Sequence, residues 1–294
     1  MSWSFCSNAE AFIEKRRADL YENESLNCLA WAAISRSKKD SSDTTETRFL
    51  TYEEGSVSTA HAFVDLSTNN LVLSPMSKSQ TEELKVFLEQ HTIILEQTEG
   101  PQEITLRFAE IWSHASDRSH RIQMNQGLYE LRVVQFTDHA GGQMLPATQE
   151  HSETLAVFLK GFLVDSFPEQ VPSEKWVTKR VERLLNEKKG YIWLNQEGDP
   201  VSMAAIVRES PNTSSISLVY TPPQERGQGY ATNLIAALSQ AQLDAGKTAC
   251  NLHTDLANPT SNGVYIRIGY QQIRRSIRIQ LVSTSKTSSA KEAG

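Results

Sequence analysis

The stretch ISLVYTPPQERGQGYA, residues 216–231, decides how the second half of the chain is read. An apolar strand ending at Tyr220 runs into Pro222 and Pro223, which stop a sheet ladder because proline has no N–H to donate. A short loop with Gly227 and Gly229 follows, where the backbone can curl and a ligand can approach without a Cβ in the way. Ala231, Leu234, Ile235 and Leu238 then fall at i, i+3, i+4 and i+7, one face of an amphipathic helix. A glycine loop at a helix N-terminus offers unpaired N–H groups and a positive dipole end to an anion, a pyrophosphate in particular. The loop lacks the Gly-Lys-Ser/Thr of a Walker loop. It also departs from a GxGxxG fingerprint, since Thr232 stands three residues past Gly229. Taken alone, it also reads as a tight βα turn.

Outward from this loop, the second half restarts at Gly141-Gly142. It reads as strand 143–147, helix 152–165, helix 173–188, and strands 191–195, 201–209 and 215–220. After the loop come helix 229–245, strand 249–255, helix 259–268 and strand 270–281. Antiparallel strands leading into a β–loop–α–β unit predict an α+β fold, a mixed and mostly antiparallel sheet flanked by helices. The penultimate helix is complete in sequence: Asn258 suits the N-cap, Pro259 the first helical position and Gly269 the C-terminal stop. Asn258, Asn262 and Tyr265 share one face of it.

Gln224-Glu-Arg-Gly-Gln-Gly229 resembles the Q/R-x-x-G-x-G/A motif of the GNAT N-acyltransferases, and Val219-Tyr-Thr-Pro222 is similar to the strand that precedes it there. The resemblance extends from Gln143 to near Leu281. It implies acetyl-CoA as cosubstrate, with backbone groups of Val219, Tyr220 and Thr221 pairing along the pantetheine arm. Arg226, Gly227, Gln228, Gly229, Tyr230, Ala231 and Thr232 would cradle the pyrophosphate. The segment 258–270 also resembles the family: an Asn at the helix start, a Tyr seven residues on, and Gly followed by an aromatic. The resemblance implies that Asn258 contacts the pantetheine and that Tyr265 protonates the departing thiolate. The chemistry is consistent, since a phenol with pKa near ~10 can share a proton with a thiol of pKa near ~8.5. The carbonyl oxygen becomes an oxyanion that a strand N–H near Val219 can stabilise. Tyr265 as a core aromatic is the alternative. The attacking amine needs a base; Asp255, His253 and Glu209 are candidates, each with a purely structural alternative.

The first half reads as a helix from Ala9 to about Ile34 and an exposed polar loop at 35–48. Strands at 48–52, 58–65 and 70–73, helices at 77–90 and 102–114, and a long strand at 122–134 complete it. LVLSP at 71–75 matches LVYTP at 218–222 in pattern, 147 positions apart, so this α/β half is a candidate degenerate copy of the same fold. At that offset Gly227 and Gly229 fall on Gln80 and Glu82, which removes the phosphate loop. The expected organisation is a non-catalytic domain at 1–134, an acetyltransferase domain at 142–282 and a disordered tail at 283–294.

The chain of 294 residues has formal net charge −6 and three scattered cysteines, Cys6, Cys28 and Cys250. Sparse, odd cysteine usage suits a reducing cytoplasm, and the histidines show no metal-ligand spacing, so no metal is expected. No apolar run approaches membrane-spanning length and no broad basic face is evident, so neither membrane nor nucleic-acid partners are expected. Arg267, Arg274, Arg275 and Arg278 form a local basic cluster that reads as a solvated strand face. The sequence thus predicts transfer of an acetyl group to a primary amine, small molecule or protein, by direct attack in a ternary complex. The negative charge favours a cationic acceptor. A coenzyme-A-binding regulatory module and a transferase using a longer acyl-CoA or an aminoacyl-tRNA are the competing classes. A sensor has no use for a leaving-group acid such as Tyr265, which weighs against the first. Oligomeric state is left open.

Overall fold

The computed structural model describes residues 1–39, 47–55, 57–114, 118–136, 140–167 and 172–283. The strands are β1 (Ser2–Phe5), β2 (Thr47–Glu54), β3 (Val57–Asp65), β4 (Asn70–Leu73), β5 (Gln97–Pro101), β6 (Arg118–Leu131), β7 (Gln143–Pro146), β8 (Gly190–Leu194), β9 (Pro200–Glu209), β10 (Thr213–Tyr220), β11 (Ala249–Asp255) and β12 (Gln271–Ser283). The helices are α1 (Ala9–Glu22), α2 (Cys28–Lys39), α3 (Lys78–Gln90), α4 (Gln102–Ser113), α5 (Ser152–Ser166), α6 (Glu174–Asn186), α7 (Tyr230–Asp244) and α8 (Pro259–Ile268).

The chain forms two compact units. The first holds Met1–Leu128 with Asp255–Ala257 and the chain from Ile273 on; the second holds Tyr129–Thr254 and Asn258–Gln272. The expected single cut between 134 and 142 is therefore crossed by two later segments. The tail expected at 283–294 begins one residue later, since Ser283 ends β12, and residues 284–294 lie outside the described residues.

In the first unit β1, β2, β3 and β4 form an antiparallel run, β4 pairs parallel with β5, and β5 pairs antiparallel with Ser276–Gln280 of β12. Successive side chains of a strand point to opposite faces, and here both faces are covered. Leu50, Ala62, Val64, Leu71 and Leu73 join Leu84, Leu88, Phe108 and Trp112 of α3 and α4, together with Ile277 and Ile279 of β12. Phe49, Phe63 and Val72, the alternate residues, face Phe12, Leu20, Trp31 and Ile34 of α1 and α2.

Three sequence expectations change here. The helix from Ala9 breaks at Asn23–Asn27, where the Asn27 amide donates to the carbonyls of Asp19 and Asn23 and competes with the helical ladder. Residues 35–39 continue α2 instead of opening a loop, and residues 40–46 lie outside the described residues. The Arg274–Arg278 run is only partly solvated. Arg275 is exposed, but Arg278 donates two hydrogen bonds to Glu99 (3.1 and 2.9 Å) and Arg274 donates to the Leu26 carbonyl (2.9 Å).

In the second unit the order is β7-β8-β9-β10-β11, antiparallel except for the last pair. Helices α5 and α6 bury Leu155, Phe158, Leu159, Val177, Val181 and Leu184 against Ile192, Met203, Ala205 and Leu218. Leu234, Ile235 and Leu238 of α7 are fully buried, as their spacing predicts. Each unit thus contains a β–loop–α–β crossover, β4–α3–β5 in one and β10–α7–β11 in the other.

The two crossovers differ at the strand ends. β5 stays against the end of β4, so closely that a Cβ on Gly100 would stand 2.6 Å from the Leu73 carbonyl oxygen and 3.1 Å from Leu73 Cβ. Gly100→Ala should therefore destabilise the protein by about 1–3 kcal/mol in urea unfolding, through forced separation of β4 and β5. Gly263→Ala is the contrasting variant: α8 has open space at that position, and the change should stabilise by about 0.5–1 kcal/mol.

Candidate functional site

Strands β10 and β11 are paired in parallel only from Thr213 to Ser215 and from Ala249 to Asn251. That end is pinned by a buried polar ladder. Ser215 Oγ donates to Asn251 Oδ1 (2.6 Å), Asn251 Nδ2 donates to Thr213 Oγ1 (3.3 Å), and Thr213 Oγ1 lies 2.6 Å from Ser210 Oγ. These groups have partners inside the core, so their burial is tolerated and the strands are held in one register. Beyond Ser215 the ladder between the two strands ends, while both continue.

β10 is also irregular toward β9. Ser217 faces Ala205 and Tyr220 faces Met203, so Leu218 and Val219 share the space of one partner residue, and Leu218 takes φ 54°. This is a β-bulge, which turns backbone groups out of the ladder next to the gap. Val219, Tyr220 and Thr221, the expected pantetheine strand, occupy this irregular edge and are half-buried.

Residues missed in the sequence fix that edge. Ser202 of β9, fully buried, donates through Oγ to the Tyr220 carbonyl (3.0 Å), and the same oxygen lies 2.9 Å from Thr221 Oγ1. Tyr220 packs its phenol over Gly161 of α5, where a Cβ would stand 2.2 Å from the hydroxyl. A glycine inside the apolar run of α5 was the available sequence signal, because such a residue weakens a helix unless close packing requires it.

The loop then reaches α7. Gly227 and Gly229 take φ 83° and 85°, the left-handed region that glycine enters without strain. Gly229 is the N-cap and supplies no side chain, so no side-chain oxygen caps the first turn of α7 at Tyr230, Ala231 and Thr232. A Cβ at Gly227 would meet nothing within 4 Å, and residues 226–229 are exposed. Such an uncapped helix end, with open glycines before it, fits a phosphate group. The Arg226 guanidinium folds back to hold the loop in shape. Its Nε donates to the Thr221 carbonyl (2.9 Å), and its NH2 pairs with Asp165 of α5 at 2.5 Å. Gln228 is exposed beside the glycines.

The equivalent place in the first unit is closed. Only three positions separate Pro75 from the start of α3, against eight from Pro222 to the start of α7. Ser77 and Gln80 form a reciprocal capping box on α3, and Gln80 is held further by Glu54 and Thr59.

Helix α8 follows its predicted outline. Asn258 Oδ1 accepts the Ser261 amide (3.0 Å), and Gly269 ends the helix at φ 112°. Asn258 is thus an N-cap whose oxygen is engaged. Tyr265 is 8 % exposed, with its ring edge-to-face on Tyr270 (centroids 6.1 Å). Burial alone pushes its phenol up to about 12, which keeps it protonated at neutral pH. Tyr270 is raised further by burial and its hydroxyl lies 2.8 Å from Ser239 Oγ.

The base candidates separate. Glu209 is matched by Lys189 (2.7 Å) and lies 3.9 Å from Lys247, so its carboxylate has structural work. Asp255 Oδ1 accepts the Ala257 amide (2.9 Å) as a turn cap, and the residue falls in the first unit. His253 stays in the second unit, half-buried on β11. No group of three or more His, Cys, Asp or Glu side chains able to hold a metal occurs among the described residues. No helix among them is long and apolar enough to cross a membrane.

Comparison with known proteins places this geometry. Residues 194–279 match the family model described as FR47-like protein. An uncharacterised N-acetyltransferase, YycN of Bacillus subtilis (strain 168), is 31% identical over 90 residues, which span 30% of this chain. The chain spans about half, 52%, of that relative's length. A GNAT-family acetyltransferase structure from Colwellia psychrerythraea aligns over 96% of this chain and 100% of its own, with TM-score 0.55 and 12% identity. A tandem GNAT protein from the clavulanic acid biosynthesis pathway aligns over 96% of this chain and 99% of its own, with TM-score 0.54 and 9% identity. The chain therefore has the fold of the GNAT acetyltransferase structures, and residues 194–279 of its second unit are similar to the FR47-like family.

Proposed function

We propose that the second unit transfers an acetyl group from acetyl-CoA to a primary amine. The observation that carries this reading is the parting of β10 and β11 beside the bulge at Leu218–Val219, leading straight to the uncapped start of α7. An extended pantetheine chain needs strand-edge N–H and C=O groups, and a pyrophosphate needs a helix N-terminus; both lie on one continuous segment, 219–232.

The residues divide the work. Val219, Tyr220 and Thr221 bind the arm through their backbone, with Ser202 and Gly161 holding that strand in place. Gly227 and Gly229 clear the approach to the amides of 230–232. When bound, the thioester supplies an activated acyl carbon. Tyr265 holds a proton on Oη at neutral pH and gives it to the departing sulfur, while the amine proton leaves to a base or to solvent. His253 is the base favoured by its place in the second unit, because Glu209 is engaged in ion pairs. The first unit has a capped helix and a closed strand gap where the second has openings, which supports a non-catalytic role for it.

Calorimetric titration with acetyl-CoA and with coenzyme A should give one site per full-length chain. Gly229→Glu should abolish that binding, because it places a carboxylate in the cradle and a side chain at a left-handed position. Two sites per chain, or unchanged binding in the variant, would move the cofactor elsewhere.

Tyr265→Phe should retain cofactor binding and slow turnover by ~10²–10⁴-fold, the range for loss of a general acid. Unchanged turnover removes Tyr265 from the chemistry. Since burial raises the phenol from 10 to about 12, its protonated form persists as pH passes 10. Wild-type kcat should therefore show no alkaline limb from this residue near pH 10, with loss setting in only as pH approaches 12. A limb centred at 10 that disappears in Tyr265→Phe would contradict the buried placement.

A further inference from the structure

Helix α8 is closed by two backbone bonds around Gly269. The Gly269 amide donates to the Ile266 carbonyl and the Tyr270 amide to the Tyr265 carbonyl, both at 3.1 Å. Such a double closure packs the residue after the glycine against the last turn of the helix. Tyr270 and Tyr265 accordingly meet edge-to-face, with centroids 6.1 Å apart and ring planes at 68°. An aliphatic side chain would close the helix as well, so the contact alone explains neither hydroxyl.

The two hydroxyls differ in what holds them. Tyr270 is 2 % exposed, and its hydroxyl shares a 2.8 Å hydrogen bond with Ser239 Oγ of α7, which is fully buried. Ser239 is fixed in turn, since its carbonyl accepts from the Cys250 thiol of β11 (3.7 Å). A buried hydroxyl without a partner is costly, so this bond locks the Tyr270 ring to α7. The Tyr265 hydroxyl has no hydrogen bond among the described residues. Ring packing therefore sets its direction, and Tyr270 is the anchored ring on which it packs. α7 also begins at the glycine loop, and Ser239 lies about two and a half turns beyond Tyr230.

Resting on the reading of Tyr265 as the leaving-group acid, we propose that Tyr270 and Ser239 are positioning residues that hold the Tyr265 ring with Oη toward the departing sulfur. Ser239, Tyr270 and Tyr265 join the helix that receives the pyrophosphate to the phenol that meets the thioester. As the bond from amine nitrogen to acyl carbon forms and the carbon–sulfur bond breaks, the Oη proton passes to sulfur. The proton lost by the amine then restores the phenol through solvent. A displacement of only ~1 Å in such a group can cost ~10²-fold in rate, which is what a ring fixed at both ends prevents.

The experiment is NMR of the full-length protein carrying tyrosine isotope-labelled at the phenol carbon, with the Tyr265 signal identified by its loss in Tyr265→Phe. In wild type that signal should shift when acetyl-CoA is added. Tyr270→Phe and Ser239→Ala each remove the anchoring bond and keep two rings in contact. In both, the Tyr265 signal of the free protein should move and its shift with acetyl-CoA should be lost, while calorimetry gives an unchanged affinity for coenzyme A. A Tyr265 signal that stays in place in both variants, or moves yet still answers acetyl-CoA as in wild type, overturns the proposal. Loss of coenzyme A binding in both variants marks a general structural role and overturns it as well. A wild-type signal indifferent to acetyl-CoA instead removes Tyr265 from the site, so the acid reading fails and the positioning roles fall with it. Ser239→Ala keeps the test decisive if Tyr270→Phe does not fold.

Discussion

Two parallel strands joined by a helix are ordinarily zipped along their shared length, yet β10 and β11 are joined only at one end. Buried hydroxyl and amide groups of Ser210, Thr213, Ser215 and Asn251 satisfy one another there and set the register. Past Asn251 that bonding stops, and the bulge at Leu218–Val219 turns β10 away from a regular ladder with β9 as well. The result is a strand whose end exposes backbone hydrogen-bonding groups in a defined place. Everything attributed to the second unit depends on that defined opening. The backbone edge of 219–221, the glycine loop and the uncapped α7 follow one another without interruption.

The first unit shows what the same supersecondary unit looks like without the opening. β4 and β5 remain in contact to Leu73 and Gly100, the loop to α3 is five residues shorter, and a capping box occupies the helix end. A side-chain cap and a bound anion compete for the same amides. Ser77 with Gln80 caps the helix N-terminus in one unit, and Gly229 leaves it without a side-chain cap in the other. The matching pattern at 71–75 and 218–222 holds for the strands and fails at the helices, because the second loop is longer.

Electrostatics around the glycine loop is set by ion pairing within the second unit. Beside the glycine loop Arg226 is matched by Asp165 and is turned toward the Thr221 carbonyl, while the first turn of α7 has no side-chain cap, so its amides and dipole can meet an anion.

The sequence by itself determined the elements whose signals are local. Pro222, Gly227 and Gly229 punctuate the loop, Asn258 and Gly269 bound α8, and the spacing of Leu234, Ile235 and Leu238 gives the buried face of α7. These depend on φ limits, missing donors and helical period, all properties of neighbouring residues. Tertiary structure alone decided the rest. Strand β5, QTEGP, has a polar composition and becomes a strand because β4 and β12 supply partners on both sides. The division into units, with β12 completing the first sheet, and the clamps made by Ser202, Gly161 and Asp165 on the segment 220–226 likewise join residues far apart in the chain. Local propensity cannot encode such contacts, because their energy exists only once distant segments have been brought together.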